Sequence, residues 1–211
     1  MYDLIGDIHG YASELKALLI KMDYQEIDGI WQHPERKVIF LGDFVDRGPE
    51  QIETVRIARS MVESGNALAV MGNHEFNAVA WSTIDPNKPN EFLRPHSDKN
   101  LKQHREFLAQ VGEDSDLHRE MIKWFKTLPL FLEMDTFRVV HACWHPGHLQ
   151  TLSNFTDDHN RIRAEAWVQL TDEENEGFEA LETVLKGLEI SLPGGYQFHD
   201  KDNHPRTNIR T

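Results

Sequence analysis

Cysteine is nearly missing. Cys143 is the only one among 211 residues, so no internal disulfide framework can form. Long apolar runs are missing too, and none approaches the length of a membrane span. Positive charge is scarce. Against 35 Asp and Glu stand 22 Lys and Arg, a net charge of -13, so the free surface disfavours nucleic acid and acidic membranes and attracts cations. The sequence holds no internal repeat and no low-complexity tract. The first strand reads from Tyr2 and leaves no room for a targeting segment, so a cytoplasmic setting is expected. What remains is soluble globular composition, 39% hydrophobic and 27% charged, enough for one substantial α/β domain.

The first 75 residues alternate strand and helix. Residues 2–6 (YDLIG), 37–41 (KVIFL) and 67–71 (ALAVM) read as strands buried on both faces of a parallel sheet. Between the first two lies a helix at 13–22, with Ser13 as N-cap and Leu15, Leu18, Leu19 and Met22 on one face, then a hairpin at 24–32 around Asp28-Gly29. A helix at 49–64 follows the second strand, with Pro49 in its first turn and Gly65 as its stop. Residues 83–100 read as an excursion loop, and 101–111 and 116–127 as helices. Two strands meet at a turn near Asp135-Thr136, 160–187 is helical and acidic, and 196–211 has the pattern of a polar hairpin.

Each early strand is followed by a polar cluster. After the first comes GDIHG, with Asp7 and His9; after the second GDFVDRG, with Asp43, Asp46 and Arg47; after the third GNHE, with Asn73, His74 and Glu75. The later strand FRVV leads into His141. Ligands of open parallel sheets bind beyond the carboxyl ends of the strands, so all four clusters should meet at one edge. Asp, His and Asn without thiolates suit Mn²⁺, Fe²⁺ or Zn²⁺, and Asp43 has two oxygens with which to bridge a pair of cations.

GDIHG, GDFVDRG and GNHE, in that order across residues 6–75, together resemble the calcineurin-like metallophosphoesterase superfamily. The DRG ending is most similar to its phosphoprotein-phosphatase branch, which includes diadenosine tetraphosphatases. The resemblance implies a two-sheet β-sandwich with βαβ units flanked by helices, and a metal-dependent hydrolase of phosphate esters or anhydrides acting through a hydroxide that bridges two divalent cations, Mn before Fe or Zn. It implies that Asp7, His9 and Asp43 hold one cation, and that Asp43, Asn73 and His141 hold the other. His74 would give a proton to the leaving oxygen, oriented by Asp46, and Arg47 and Asn73 would bind the phosphoryl group. The substrate would be a phosphorylated small molecule or a phosphoprotein.

The family pattern contains one more histidine, in a late Gly-His pair. The only such pair here, Gly147-His148, reads as a helix start. With the unfinished hairpin at the end, this leads us to expect that residues 1–211 form a single domain whose C-terminal part is not included, water or His145 taking the vacant ligand position. That gap leaves a second reading open, a non-catalytic module that binds metal and phosphate. Plainer readings stand beside the others. Arg47 has Asp43 and Asp46 as simple ion-pair partners, Glu75 suits the positive end of a helix, and the run Asp172 to Glu176 suits an exposed helix start. Cys143 reads as a small buried residue, Trp144 and His145 as either pocket lining or packing, and His33, His96, His104, His118, His159, His199 and His204 as solvated.

Overall fold

The protein is described from a computed structural model, which covers residues 1–199 and 205–210. Short apolar segments make the centre. The chain runs β1 (Tyr2–Ile5), α1 (Ala12–Lys21), the hairpin β2 (Gln25–Ile27) and β3 (Ile30–Gln32), β4 (Lys37–Phe40), α2 (Gln51–Glu63) and β5 (Ala67–Ala69). β4 lies between β1 and β5 and is parallel to both, with Ile39 opposite Leu4 on one side and Leu68 on the other. Side chains alternate across a strand. Val38 and Phe40 accordingly join the helical core with Leu19, Ile57 and Met61, whereas Ile39 faces away from it.

The face carrying Ile39 is covered from later in the chain. After α3 (Asn73–Ser82), α4 (Asp98–Val111) and α5 (Asp116–Phe125) comes the antiparallel pair β6 (Phe131–Glu133) and β7 (Arg138–Val140). Val139, Leu132 and Phe137 pack with Ile39, Val70 and Tyr2, the Tyr2 and Phe137 rings meeting edge-on at 5.7 Å. The result is the expected α/β arrangement, sheet against sheet with helices outside. Cover is incomplete over β1, where Leu4 is 56% exposed, so that strand is not buried on both faces as its sequence suggested.

The chain ends with α6 (Pro146–Leu152), a 3-10 turn at Ala164–Ala166, α7 (Trp167–Leu170), α8 (Glu176–Lys186) and β8 (Glu189–Ser191). β9 (Phe198–His199) pairs with β10 (Pro205–Arg206), and β11 (Asn208–Arg210) returns to pair with β8. The tail hairpin therefore exists but is nested inside a second strand pair. Residues 200–204 and 211, His204 among them, lie outside the described residues. No helix among the described residues is long and apolar enough to cross a membrane.

Local readings need correction at two helix starts. α1 begins one residue before Ser13, whose N–H and hydroxyl both donate to the Glu50 carboxylate at 2.8 and 2.6 Å. Ser13 therefore gives its donors to Glu50, from the next crossover, and does not act as the cap. α2 has Glu50 as its N-cap, which leaves Pro49 just outside the helix. The β2–β3 turn is as read, with Asp28 at φ 52° and Gly29 at φ 79°, the pair of positive angles that a two-residue hairpin turn needs.

Candidate metal centre

The loops after β1 and β4 are stitched together by backbone. The Ile8 and His9 N–H groups donate to the Asp43 carbonyl at 3.0 and 2.8 Å, and the Gly48 N–H donates to the His9 carbonyl at 2.8 Å. These loops carry strain. His9, Asp43, Asp46 and Arg47 all have positive φ, at 50°, 54°, 71° and 71°. Each left-handed non-glycine residue costs on the order of 1 kcal/mol and persists only when its surroundings hold it there. Four of them within one pair of loops mark a place where side-chain direction outweighs backbone comfort.

Glu75 is the main brace. It is fully buried at the start of α3, where it accepts the Asp43 and Gly72 N–H groups at 2.8 and 3.1 Å through Oε2 and the Phe44 N–H at 2.8 Å through Oε1. Burial and then the nearby Asp43 charge push its carboxyl up to about 7, against the bonded N–H groups that favour the carboxylate. Glycine at 72 is obligatory, because a Cβ there would lie 2.2 Å from Asp43 Oδ1.

Asp43 is the hub. Its Oδ1 accepts the His74 N–H at 3.0 Å, and its Oδ2 lies 3.7 Å from His9 Nε2, 3.6 Å from His141 Nε2 and 3.9 Å from His74 Nε2. Asp7 Oδ2 is 3.6 Å from His9 Nε2. These separations exceed hydrogen-bond length and suit donor atoms arranged around a cation. Two of the imidazoles are keyed from behind: His9 Nδ1 donates to the Val45 carbonyl at 2.9 Å and His141 Nδ1 to the Leu41 carbonyl at 2.5 Å. That leaves the Nε2 lone pairs towards Asp43, the way metal-binding histidines are fixed. Buried His9 Nε2 has no hydrogen-bond partner among the described residues, and burial, opposed by the Val45 bond, holds His9 below its usual pKa, in the neutral form that binds metal. The donor set fits divalent cations.

Among the described residues, candidate donor groups with atoms within 4.8 Å of one another are His9, Asp43 and His74, and Asp7, Asp43 and His141, with Asp43 common to both. Asn73 heads α3 and lines the same cleft as Asp7, Asp43, Arg47, His74 and His141. Arg47 is exposed there and makes no ion pair with Asp43 or Asp46, so the plain salt-bridge reading of it fails.

His74 is engaged at its other nitrogen. Its Nδ1 donates to Asp46 Oδ2 at 2.5 Å, and the second Asp46 oxygen takes a hydrogen bond from His104 Nδ1 at 2.7 Å. Burial alone would lower the His74 pKa, but the Asp46 bond and the Asp43 charge raise it above the ordinary value. Burial would raise Asp46, but its two histidine partners hold it below the usual carboxylate range.

His104 was read as solvated; it is 4% exposed, and His118 is 2% exposed. His96 is not simply solvated either, since its ring stacks 3.7 Å from Trp81 and 4.1 Å from Phe92. Cys143 is half-buried, not buried. Trp144 packs edge-on against Phe131 at 5.4 Å, and His145 caps α6 by accepting the His148 N–H at 3.2 Å. Neither belongs to the donor groups, so His145 does not complete the centre.

The cleft has a volume of about 1090 Å³ and extends past the donors to Arg94 and Lys99. Arg94, unremarked in the sequence, is half-buried and donates through Nη2 to Gln103 Oε1 at 2.7 Å and Asn100 Oδ1 at 3.1 Å, with no carboxylate at ion-pair distance among the described residues. Burial lowers its pKa, with Asp46 and Glu182 acting against that from farther off.

The calcineurin-like phosphoesterase family model matches residues 2–181. Among curated proteins, the asymmetrical bis(5′-nucleosyl)-tetraphosphatase PrpE of Geobacillus sp. is 32% identical over 146 residues, covering 69% of this chain and 56% of that protein. The one from Oceanobacillus iheyensis is 29% identical, covering 69% and 55%. A symmetrical bis(5′-nucleosyl)-tetraphosphatase of Pectobacterium carotovorum is 32% identical over 147 residues, covering 68% and 42%. The match thus spans little more than half the length of the first two relatives. Among solved structures, a cold-active protein-tyrosine phosphatase of a psychrophilic Shewanella superposes with a TM-score of 0.52 at 16% identity, covering 86% of this chain and 51% of that one, a likeness of fold.

Proposed function

The chain belongs to the calcineurin-like phosphoesterase family, and we propose that it hydrolyses phosphate esters or anhydrides with two divalent cations, Mn²⁺ first among them. The observation that carries this is Asp43 Oδ2, set 3.6–3.9 Å from three imidazole Nε2 atoms. In this reading Asp7, His9, Asp43, Asn73 and His141 hold the cations. Bound there, the cations would polarise the phosphoryl oxygens and make a water nucleophilic near neutral pH. Arg47, exposed in the cleft and free of ion pairs with its aspartate neighbours, binds the phosphoryl oxygens together with Asn73. His74, with its Nδ1 proton on Asp46, delivers its Nε2 proton to the leaving oxygen.

The substrate reading is narrower than the family. Arg94 and Lys99 line the same cleft as Arg47, alongside Glu173 and Glu182, and offer cationic side chains to a substrate carrying more than one phosphoryl group. Tetraphosphatase relatives point the same way. A phosphoprotein substrate is the second reading, and a non-catalytic metal- and phosphate-binding module the third, because no further histidine among the described residues joins the donor groups. Initial rates with Mn²⁺ on p-nitrophenyl phosphate, a phosphopeptide and diadenosine tetraphosphate distinguish these readings. Turnover abolished by chelator and fastest on the tetraphosphate is expected. No turnover on any of them would leave the binding module.

A further inference from the structure

Asp46 has both carboxylate oxygens on imidazoles, Oδ2 on His74 at 2.5 Å and Oδ1 on His104 at 2.7 Å. Its backbone N–H is also fixed, donating to Gln51 Oε1 at 2.7 Å. His104 comes from α4, a separate element 58 residues along the chain. Its ring is walled by Phe107 at 4.9 Å and Trp81 at 5.8 Å, and its Nε2 is buried with no hydrogen-bond partner among the described residues. A buried ring with an orphaned nitrogen is a poor choice for filling space, because leucine would fill it without desolvating a polar atom. Among the described residues, the bond to Asp46 is the ring's one hydrogen bond.

We propose that His104 is a positioning residue, which clamps the Asp46 carboxylate so that its other oxygen stays aimed at His74 Nδ1. The inference rests on the reading of His74 as the group that hands a proton to the leaving oxygen. A carboxylate held at one oxygen can swing about its last side-chain torsion, which is broad. Held at both, it fixes the imidazole tautomer and plane and so keeps Nε2 on the line of the leaving group. The His104 bond also draws charge from Oδ1, which makes Asp46 a weaker competitor for the His74 proton. His104 moves no proton itself. The one proton transferred travels from His74 Nε2 to the departing oxygen, and His104 keeps its own on Nδ1 throughout.

The test compares His104→Ala with His104→Asn, whose side-chain amide keeps a donor close to the place of Nδ1. Two substrates are used, phenyl phosphate with a poor leaving group and p-nitrophenyl phosphate with a good one. Expected for His104→Ala is a fall in kcat of about 10-fold on phenyl phosphate, at the lower edge of the range for a partner that orients a functional histidine. The loss should be clearly smaller on p-nitrophenyl phosphate, with KM little changed, and His104→Asn should recover most of it. The low-field proton NMR signal of the His74–Asp46 bond should move in His104→Ala and return in His104→Asn. Equal losses on both substrates, an Asn variant no better than Ala, or an unmoved resonance would each overturn the proposal. If His104→Ala does not fold, His104→Asn against His104→Leu decides it by the same readouts. If the wild type turns over neither substrate, the proposed function falls, and the resonance alone decides whether His104 sets the His74–Asp46 bond.

Discussion

Asp43 keeps one oxygen on the His74 N–H and leaves the other among the His9, His74 and His141 rings. Asn at this position retains the shape but replaces one oxygen by an N–H donor that repels a cation. Asp43→Asn should therefore cost affinity at both cation positions, and calorimetric titration with Mn²⁺ should lose both binding events. Unchanged stoichiometry would refute the bridging role. His74→Asn is the contrasting case. It removes a proton donor and should slow poor-leaving-group substrates by about 10²–10⁴-fold, and p-nitrophenyl phosphate much less. The pH dependence follows in sign. Burial lowers His74 and the Asp46 bond raises it, with the net direction upward, so the protonated donor is lost as pH rises through that raised value. Turnover of a poor-leaving-group substrate should fall across the same window, and a rate still rising there would contradict the assignment. The residues of this site were legible because each directly follows a strand. His104 and Arg94 were not, because they sit in α4 and the preceding loop with no local pattern, and only the packing of α4 against α2 brings His104 to Asp46.

At the scale of elements, apolar runs ending at glycine located β1, β4 and β5, and the Asp28-Gly29 pair located the β2–β3 turn. Helix starts were less legible where the donor's partner is remote in sequence, as with Glu50 on Ser13. The acidic stretch after residue 160 breaks into a 3-10 turn and two helices, because Asn175 caps α8 through the Gly177 N–H at 2.9 Å and so interrupts the pattern. The junction of β5 with α3 carries the sharpest steric demand. A Cβ on Gly72 would lie 2.4 Å from the Asp43 N and 2.2 Å from its Oδ1, and both groups are held by other bonds. Gly72→Ala should destabilise the fold by about 1–3 kcal/mol, the usual cost of overpacking. It should also weaken Mn²⁺ binding, because the atoms displaced belong to Asp43. Urea unfolding and Mn²⁺ titration of the same variant check both, and loss of stability with full metal affinity would separate the junction from the centre.

The whole chain carries a net charge of -13, and four of its carboxylates, Asp7, Asp43, Asp46 and Glu75, are gathered within and just behind one cleft. The second layer was legible from the strand pair around Asp135-Thr136, but its seating on Ile39 and Val70 was not, because the two faces of β4 alternate within one continuous apolar run. That seating brings His141 to Asp43, so the two layers meet at the centre, and its candidate donor groups come from both. Cations bound there would tie β7 to β1 and β4 and relieve repulsion among the carboxylates. Because the unfolded chain cannot hold Asp7, Asp43 and His141 together, binding should favour the folded state. At a hundred times its dissociation constant a cation adds about 2.7 kcal/mol. For a chain of this size that raises Tm by roughly 5–10 °C. Calorimetry in Mn²⁺ against the same buffer with chelator measures the shift, with Asp43→Asn as the control that should lose most of it. Equal melting temperatures in both buffers would mean that the two layers are not joined through a cation.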